Sequence, residues 1–410
     1  MARARTSPAA EFARYLRTET TGGFVLLAAT AIALIWVNSA FGGGYESLRD
    51  FPLGVDTGFV HLRLTVGEWA KDGLLALFFF VVGLELKREL IVGELSDVKA
   101  AALPIIAAAG GMIAPALIAL TVAWGEPGFD KAWAVPMATD IAFALGVLAL
   151  TGSHLPSSAR VFLLSLAVVD DLGAIVIIAV LFTSDFNIVA ALVAVAALAL
   201  YAALQKLRIR SSLLYVPIAL VTWISIHEAG IHATIAGVML GLLTRVRGDE
   251  GEDEAPAIRL EHRLQPYSAL VAVPVFALFA AGVAVDSEAM TTVFTSPIPI
   301  GIIAGLILGK LIGILGFSAL AVRLRLAKLP TRTNWRDLTA LAVLAGVGFT
   351  VSLLIADLAL PVSEFGDAAE SAKAAVLIAS ATASLLSASM LARRSKVHKH
   401  RREQAETDAS

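Results

Sequence analysis

The chain contains no cysteine, and only 16% of its 410 residues carry a formal charge, against about 25% in ordinary soluble proteins. The first absence excludes disulfides, thiolate chemistry and cysteine-ligated metal or iron–sulfur centres. The second excludes a conventional hydrated surface over so long a chain. No Walker A loop, GxSxG nucleophile elbow or dinucleotide-binding glycine turn can be drawn. The seven histidines show no zinc spacing. No basic face with interleaved aromatics suggests nucleic acid. These absences argue against an enzyme and an ATP-driven pump, and imply no cofactor.

What is present points one way. Hydrophobic residues make up 58% of the chain and the mean hydropathy is +0.79, above the usual apolar share of about 45–50%. The excess falls in blocks of roughly 18–23 residues, each able to cross a hydrocarbon core of about 30 Å as a helix. About twelve can be drawn, near 22–40, 68–86, 101–123, 131–151, 158–182, 188–205, 213–227, 230–245, 265–285, 297–319, 337–358 and 371–392. The pattern predicts an all-α polytopic membrane protein with about 12 transmembrane helices, confined to residues 22–392. The first block follows a basic stretch and could imitate a signal peptide. It is long for one and lacks a small-x-small cleavage site, so it reads as a retained helix.

Alternate connections differ sharply in charge. "KRELIVGELSDVK", "QKLRIR", "VRLRLAKLPTRTNWR" and "RRSKVHKHRR" are rich in Lys and Arg, whereas "TSDFN", "VDSEAMTTVFTSP" and "PVSEFGDAAESAK" nearly lack them. The basic set should face the cytoplasm. Both termini fall in it, as an N-terminal segment 1–21 and a basic tail 393–410, which requires an even number of spans. The acidic stretch at about 246–258 reads as a solvated cytoplasmic loop. The connection at about 41–66 ends in the alternating "HLRLTV". It reads either as a small extracytoplasmic β-hairpin, a candidate arm for a homodimer, or as an irregular loop.

Polar residues inside apolar blocks carry the functional signal. A carboxylate near the middle of a bilayer costs about 2.5 kcal/mol or more, yet "LAVVDDLGAIVII" holds Asp170 and Asp171 side by side. On one helix they diverge by about 100°, so both can face a water-filled cavity without contacting one group symmetrically. A third aspartate, Asp140, stands in "VPMATDIAFALG". There Pro136 lacks a backbone donor, and Thr139 and Asp140 can satisfy groups freed by a helix break. The block "LAVLAGVGFTVSLLIA" is interrupted similarly at Gly346, Gly348 and Thr350. Interrupted spans in corresponding positions of two halves point to a transporter binding site. The breaks fall in the fourth and eleventh blocks, so inverted repeats at about 101–182 and 297–392 are expected, with two broken crossing helices. Lys310, alone in "IIAGLILGKLIGILGF", is the expected counter-charge. Asp72 enters the second block, and Glu85, Lys87, Arg88 and Glu89 mark its far end, as interfacial anchors or as an acidic funnel for cations. His232 in "GIHATIAG" reads as a helix-end histidine rather than a ligand.

Taken together, "FFFVVGLELKREL", "VPMATDIAFALGVLALTG", "LAVVDDLGAIVIIAVLF", "GIHATIAGV", "RLEH", "LGK" and "GVGFTVS" resemble the bacterial sodium/proton antiporters of the NhaA type, in family order across almost the whole chain. Inverted repeats and broken helices are established features of that family. The resemblance implies a secondary transporter of the bacterial cytoplasmic (inner) membrane. It would export Na+, and Li+, against two protons per ion, under pH control. It implies an ion-binding site at Asp170 and Asp171, the latter the direct sodium ligand, with Thr139 and Asp140 at the first break and Lys310 paired with Asp170. Glu85, Arg88, Glu89, Arg259, Glu261 and His262 would form a pH-response cluster. Three departures bear on that cluster or its neighbourhood. Leu311 follows Lys310 where proline is frequent, Gln265 replaces a familiar histidine, and "FALFAAGV" lacks an asparagine. A desolvated pair of like charges resists full ionisation, so protons and a hard cation would compete for it. A cation channel would need a continuous pore, which paired breaks and a buried lysine argue against. A sodium-coupled symporter of an organic anion would need an intramembrane Arg, and none is seen.

Overall fold

The computed structural model describes residues 8–409, apart from 57–60, 184–185, 250–251, 253 and 286. Its main helices are α1 (Pro8–Val37), α2 (Leu75–Ile91), α3 (Val98–Val122), α4 (Ile141–Thr151), α5 (Ser157–Leu181), α6 (Ile188–Lys206), α7 (Ser212–Glu228), α8 (Thr234–Leu243), α9 (Pro256–Tyr267), α10 (Val273–Ala280), α11 (Pro297–Ala304), α12 (Lys310–Arg323), α13 (Trp335–Leu344), α14 (Phe349–Ala359) and α15 (Asp367–Ala409). Wide π turns at Ser268–Ala272 and Gly305–Gly309 join α9 to α10 and α11 to α12. Among the described residues, seven helices are long and apolar enough to cross a membrane, or up to nine if each bent pair is one span. The difference from twelve apolar blocks is one of length and charge. Helices α7 and α8 have 17 and 10 residues, short of the roughly 20 that span a bilayer unaided, while α2 continues back through a π turn at Trp69–Leu74 to Val66 and carries charges at both ends.

Two helices extend beyond their apolar blocks. The first helix begins at Pro8, well before the apolar block. The last runs through residue 393 without a break and reaches Ala409, a length of about 64 Å at 1.5 Å per residue. The 41–66 connection holds a polar helix, Gly42–Arg49, and two-residue strands β1 (Val55–Asp56) and β2 (His61–Leu62) that pair antiparallel. Residues 57–60 of that connection lie outside the described set.

Both interruptions are real breaks in the backbone. A short 3-10 turn at Val135–Met137 gives way to extended Ala138, and α4 starts only after Asp140, its N-cap. Helices α13 and α14 are separated by 345–348 and bent by 46°. The breaks lie between two apolar clusters. One contains Met137, Ile178, Leu354 and Val376; the other contains Phe143, Leu163, Leu341 and Ile314. Large apolar side chains such as Val180 and Ile312 point outward and are exposed, as on helices that face lipid rather than water.

Candidate ion-binding site

Helix α5 carries Asp170 and Asp171 at its middle, at 0% and 2% exposure. Asp170 Oδ2 accepts from Lys310 Nζ at 2.7 Å, and the same ammonium donates to the Met137 carbonyl at the first break. Lys310 reaches this depth because α3 and α12 pack almost backbone to backbone. A Cβ placed on Gly313 would lie 2.0 Å from the Gly110 carbonyl oxygen, so only glycine permits the approach, as small residues do between membrane helices. Asp170 also faces the Thr139 hydroxyl and backbone amide. One oxygen of each aspartate, Oδ1, is buried without a hydrogen-bond partner. Buried carboxylate oxygens normally find a donor. Here one oxygen on each of two neighbouring residues lacks one, beside the Lys310 ammonium.

The breaks meet beside this pair. The Asp140 amide donates to the Val347 carbonyl at 2.7 Å, and Thr139 Oγ1 to the Ala345 carbonyl at 2.8 Å. Asp140 Oδ1 accepts from the Phe143 amide at 2.9 Å. Its Oδ2 accepts from the Thr350 amide at 3.1 Å and the Thr350 hydroxyl at 2.7 Å. One carboxylate therefore caps two half-helices, α4 and α14, whose positive ends converge on it. Ser352 Oγ donates to the Val135 carbonyl at 2.8 Å. Lys310 meets the opposite, carbonyl-bearing end of the first half-helix at Met137.

A cavity of about 40 Å³ is lined by Asp171, Ala142, Glu85, Glu261 and Gln265, among others. Beside it Arg88 binds Glu261 at 2.5 Å and lies 3.5 Å from Glu89 and 3.9 Å from Glu85. The structure thus brings together four of the six pH-response candidates. The other two lie elsewhere. His262 is part-exposed and 3.7 Å from Glu254, and Arg259 lines a separate cavity of about 1320 Å³ with Arg245 and Arg263. Helix periodicity explains the split, because Arg259 and His262, three residues apart, share a face of α9 that is turned about 100–160° from Glu261. His232 is buried, with Nδ1 3.5 Å from Asp72 Oδ1. In the acidic loop, the Asp249 amide, with Arg245 and Arg210, holds the Glu252 carboxyl below the usual carboxylate range.

Several contributors carried no sequence signal. The carbonyls of Met137, Ala345 and Val347 are backbone atoms, which no residue type announces. Thr350 was visible as part of an interruption, but not as the partner of Asp140. Gln265 stood out as a departure, and the cavity sets it beside Glu261.

The sequence matches the family model described as Na+/H+ antiporter 1 over residues 13–391. It is 61% identical over 396 residues to Na(+)/H(+) antiporter NhaA 2 of Rhodococcus jostii, covering 97% of this chain and 96% of that one. It is 62% identical over 386 residues to Na(+)/H(+) antiporter NhaA 1 of Saccharopolyspora erythraea, covering 94% and 92%. A solved sodium proton antiporter of Methanocaldococcus jannaschii aligns over 94% of this chain and 96% of its own, with 15% identity and a TM-score of 0.46. By the extent of the family match and these identities, the chain is a multi-pass membrane protein of the Na+/H+ antiporter 1 family, the NhaA-type antiporters.

Proposed function

We propose that the protein is a secondary active sodium/proton antiporter, not an enzyme, that exports Na+ and Li+ from a bacterial cytoplasm in exchange for protons. The observation that carries this reading is the pair of buried, unpartnered carboxylate oxygens on Asp170 and Asp171, with Asp171 lining a cavity that Glu85 and Glu261 also line. Asp171 is the sodium ligand and proton acceptor. Asp170 alternates between Lys310 and the ion. Thr139 and Asp140 hold the crossing beside them. Two protons per sodium would move net charge, so the membrane potential contributes about 2.3 kcal/mol per charge at 100 mV. The arrangement is that of twelve spans, with inverted repeats at about 101–182 and 297–392 and both termini cytoplasmic. The cavity mouth, with Glu85, Arg88, Glu89 and Glu261, then gathers cations from the cytoplasm and tunes activity with pH, assisted by Arg259 and His262. The 41–66 connection lies outside and serves as a homodimer arm.

The test is sodium-induced proton movement in proteoliposomes read with a pH dye. Wild-type protein should give saturable, sodium-dependent flux, and Asp171→Asn should abolish it while remaining folded and inserted. Robust exchange by Asp171→Asn would sink the site assignment.

A further inference from the structure

Helix α15 is attached to the broken helix α13–α14 at three heights by polar side chains that the exchange site does not use. At one end, Asp337 is fully buried. Its Oδ1 accepts from Arg394 Nε at 2.7 Å, and His398 Nε2 lies 3.1 Å from both of its oxygens. Asp337 also closes the capping box of α13, where its Oδ2 accepts from the Asn334 amide at 3.1 Å. Arg394 and His398 are four residues apart, hence on one face of α15. The burial of Leu391, Ser395 and His398 continues that face along the tail. Ser395 Oγ accepts from the His154 amide at 3.1 Å, tying in the connection between α4 and α5.

At the middle, Ser380 Oγ accepts from the amide of Phe349 at 3.1 Å. Phe349 is the first residue of α14 and has φ of 20°, at the edge of the region glycine favours. Such a backbone persists only where its surroundings over-determine it. At the other end, Lys373 pairs with Asp357 of α14. Lys373 and Arg394 are separated by about 32 Å along the helix, close to the thickness of a hydrocarbon core. The two charged attachments therefore bracket the membrane, and the neutral one sits at the break between them.

We propose that α15 is a splint for the second broken helix, and that Asp337, Arg394, His398 and Ser380 are positioning residues for exchange. They act through the break. It is the carbonyls of Ala345 and Val347, with Thr350, that fix Thr139 and Asp140, and Thr139 faces Asp170. Loosening α13 or α14 from α15 shifts the groups that shape the ion site without touching the ion ligands. This inference rests on the antiport reading above.

The experiment measures sodium-dependent proton flux in proteoliposomes across a sodium titration, at equal amounts of monodisperse protein, together with thermal unfolding. Asp337→Asn, Ser380→Ala and the double variant Arg394→Gln/His398→Gln are compared with wild type. Ser380→Thr, which keeps the hydroxyl, is the conservative control. The expected result is an apparent sodium KM raised roughly two- to tenfold in the first three, the scale of mutations acting through a packed network, and restored in Ser380→Thr. Where Asp337→Asn does not fold because its cap is lost, the double variant, which keeps Asp337, decides. A merely structural tie would lower the unfolding temperature and leave KM within twofold of wild type in every variant, and that outcome overturns the splint. Absence of exchange by wild-type protein overturns the antiport reading instead, so the two failures are distinct.

Discussion

Two aspartate-bearing regions are linked through Lys310, which bonds Asp170 and the Met137 carbonyl, and behave differently. At the crossing of the breaks, both oxygens of Asp140 are engaged, by the Phe143 amide on one side and by Thr350 on the other. On α5, Oδ1 of Asp171 and Oδ1 of Asp170 have no partner, while Asp170 is held by Lys310 and faces Thr139. Burial does not distinguish them, because Asp140 is 3% exposed and Asp171 2%. Satisfaction does. A carboxylate whose lone pairs are filled by helix amides is a structural cap. One left with an empty lone pair in a buried pocket is available to a proton or a cation. The sequence reading placed Asp140 with the ion-binding residues. In the structure both its oxygens accept hydrogen bonds from the first turns of α4 and α14.

The comparison can be broken most directly by substituting both positions. Asp140→Ala would leave the donors of Phe143 and Thr350 buried and unpaired, at about 1–3 kcal/mol each, so a large drop in unfolding temperature is expected together with lost transport. Asp171→Asn should lose transport just as completely, with unfolding temperature held or raised, because a buried unpartnered carboxylate is removed. Thermal unfolding of the two purified proteins checks this, and equal stability losses would erase the distinction.

Lys310→Ala comes next in size. It strips Asp170 of its partner, a loss of about 3–5 kcal/mol when a buried pair is broken on one side. Lower stability, slower exchange and weaker voltage dependence are expected in proteoliposomes under an imposed potential. Unchanged values for all three would remove Lys310 from the mechanism.

Competition sharpens the contrast without mutation. If protons and sodium share Asp170 and Asp171, the apparent sodium KM should rise steeply as pH falls below the optimum, with the maximal rate changing less. A KM flat over about two pH units would point to separate sites.

The smallest effect is expected at the cavity mouth. His262 stands apart from the Arg88–Glu261 pair, so His262→Gln should shift the pH profile only slightly. Gln265 lines the cavity with Glu261, and a histidine there adds a group that titrates near neutral pH. Gln265→His should therefore move the midpoint or slope more than His262→Gln does. The reverse order, in flux measured across pH, would put His262 back in the mouth.

Legibility in the sequence followed the conspicuousness of each signal. Asp170, Asp171 and Lys310 could be read directly, because charge within an apolar run stands out and bilayer physics makes it expensive. The breaks were legible from Pro136 and from Gly346 and Gly348, since missing donors and missing side chains weaken a helix locally. Which charges pair was much less visible. Asp337 and His398 look like ordinary interfacial residues 61 positions apart, and nothing local says that one buries the other.

The sequence by itself determined that the chain is helical and membrane-spanning, and where its intramembrane charges and interruptions lie, because hydropathy and helix-breaking act over one span at a time. Only the tertiary structure decided the partners of each charge. Whether Asp140 caps both half-helices, whether Lys310 reaches Asp170, and whether the basic tail packs back on Asp337 depend on groups brought together from distant spans, backbone amides and carbonyls among them. Those backbone groups are the same in every residue, so their arrangement exists only in the folded protein.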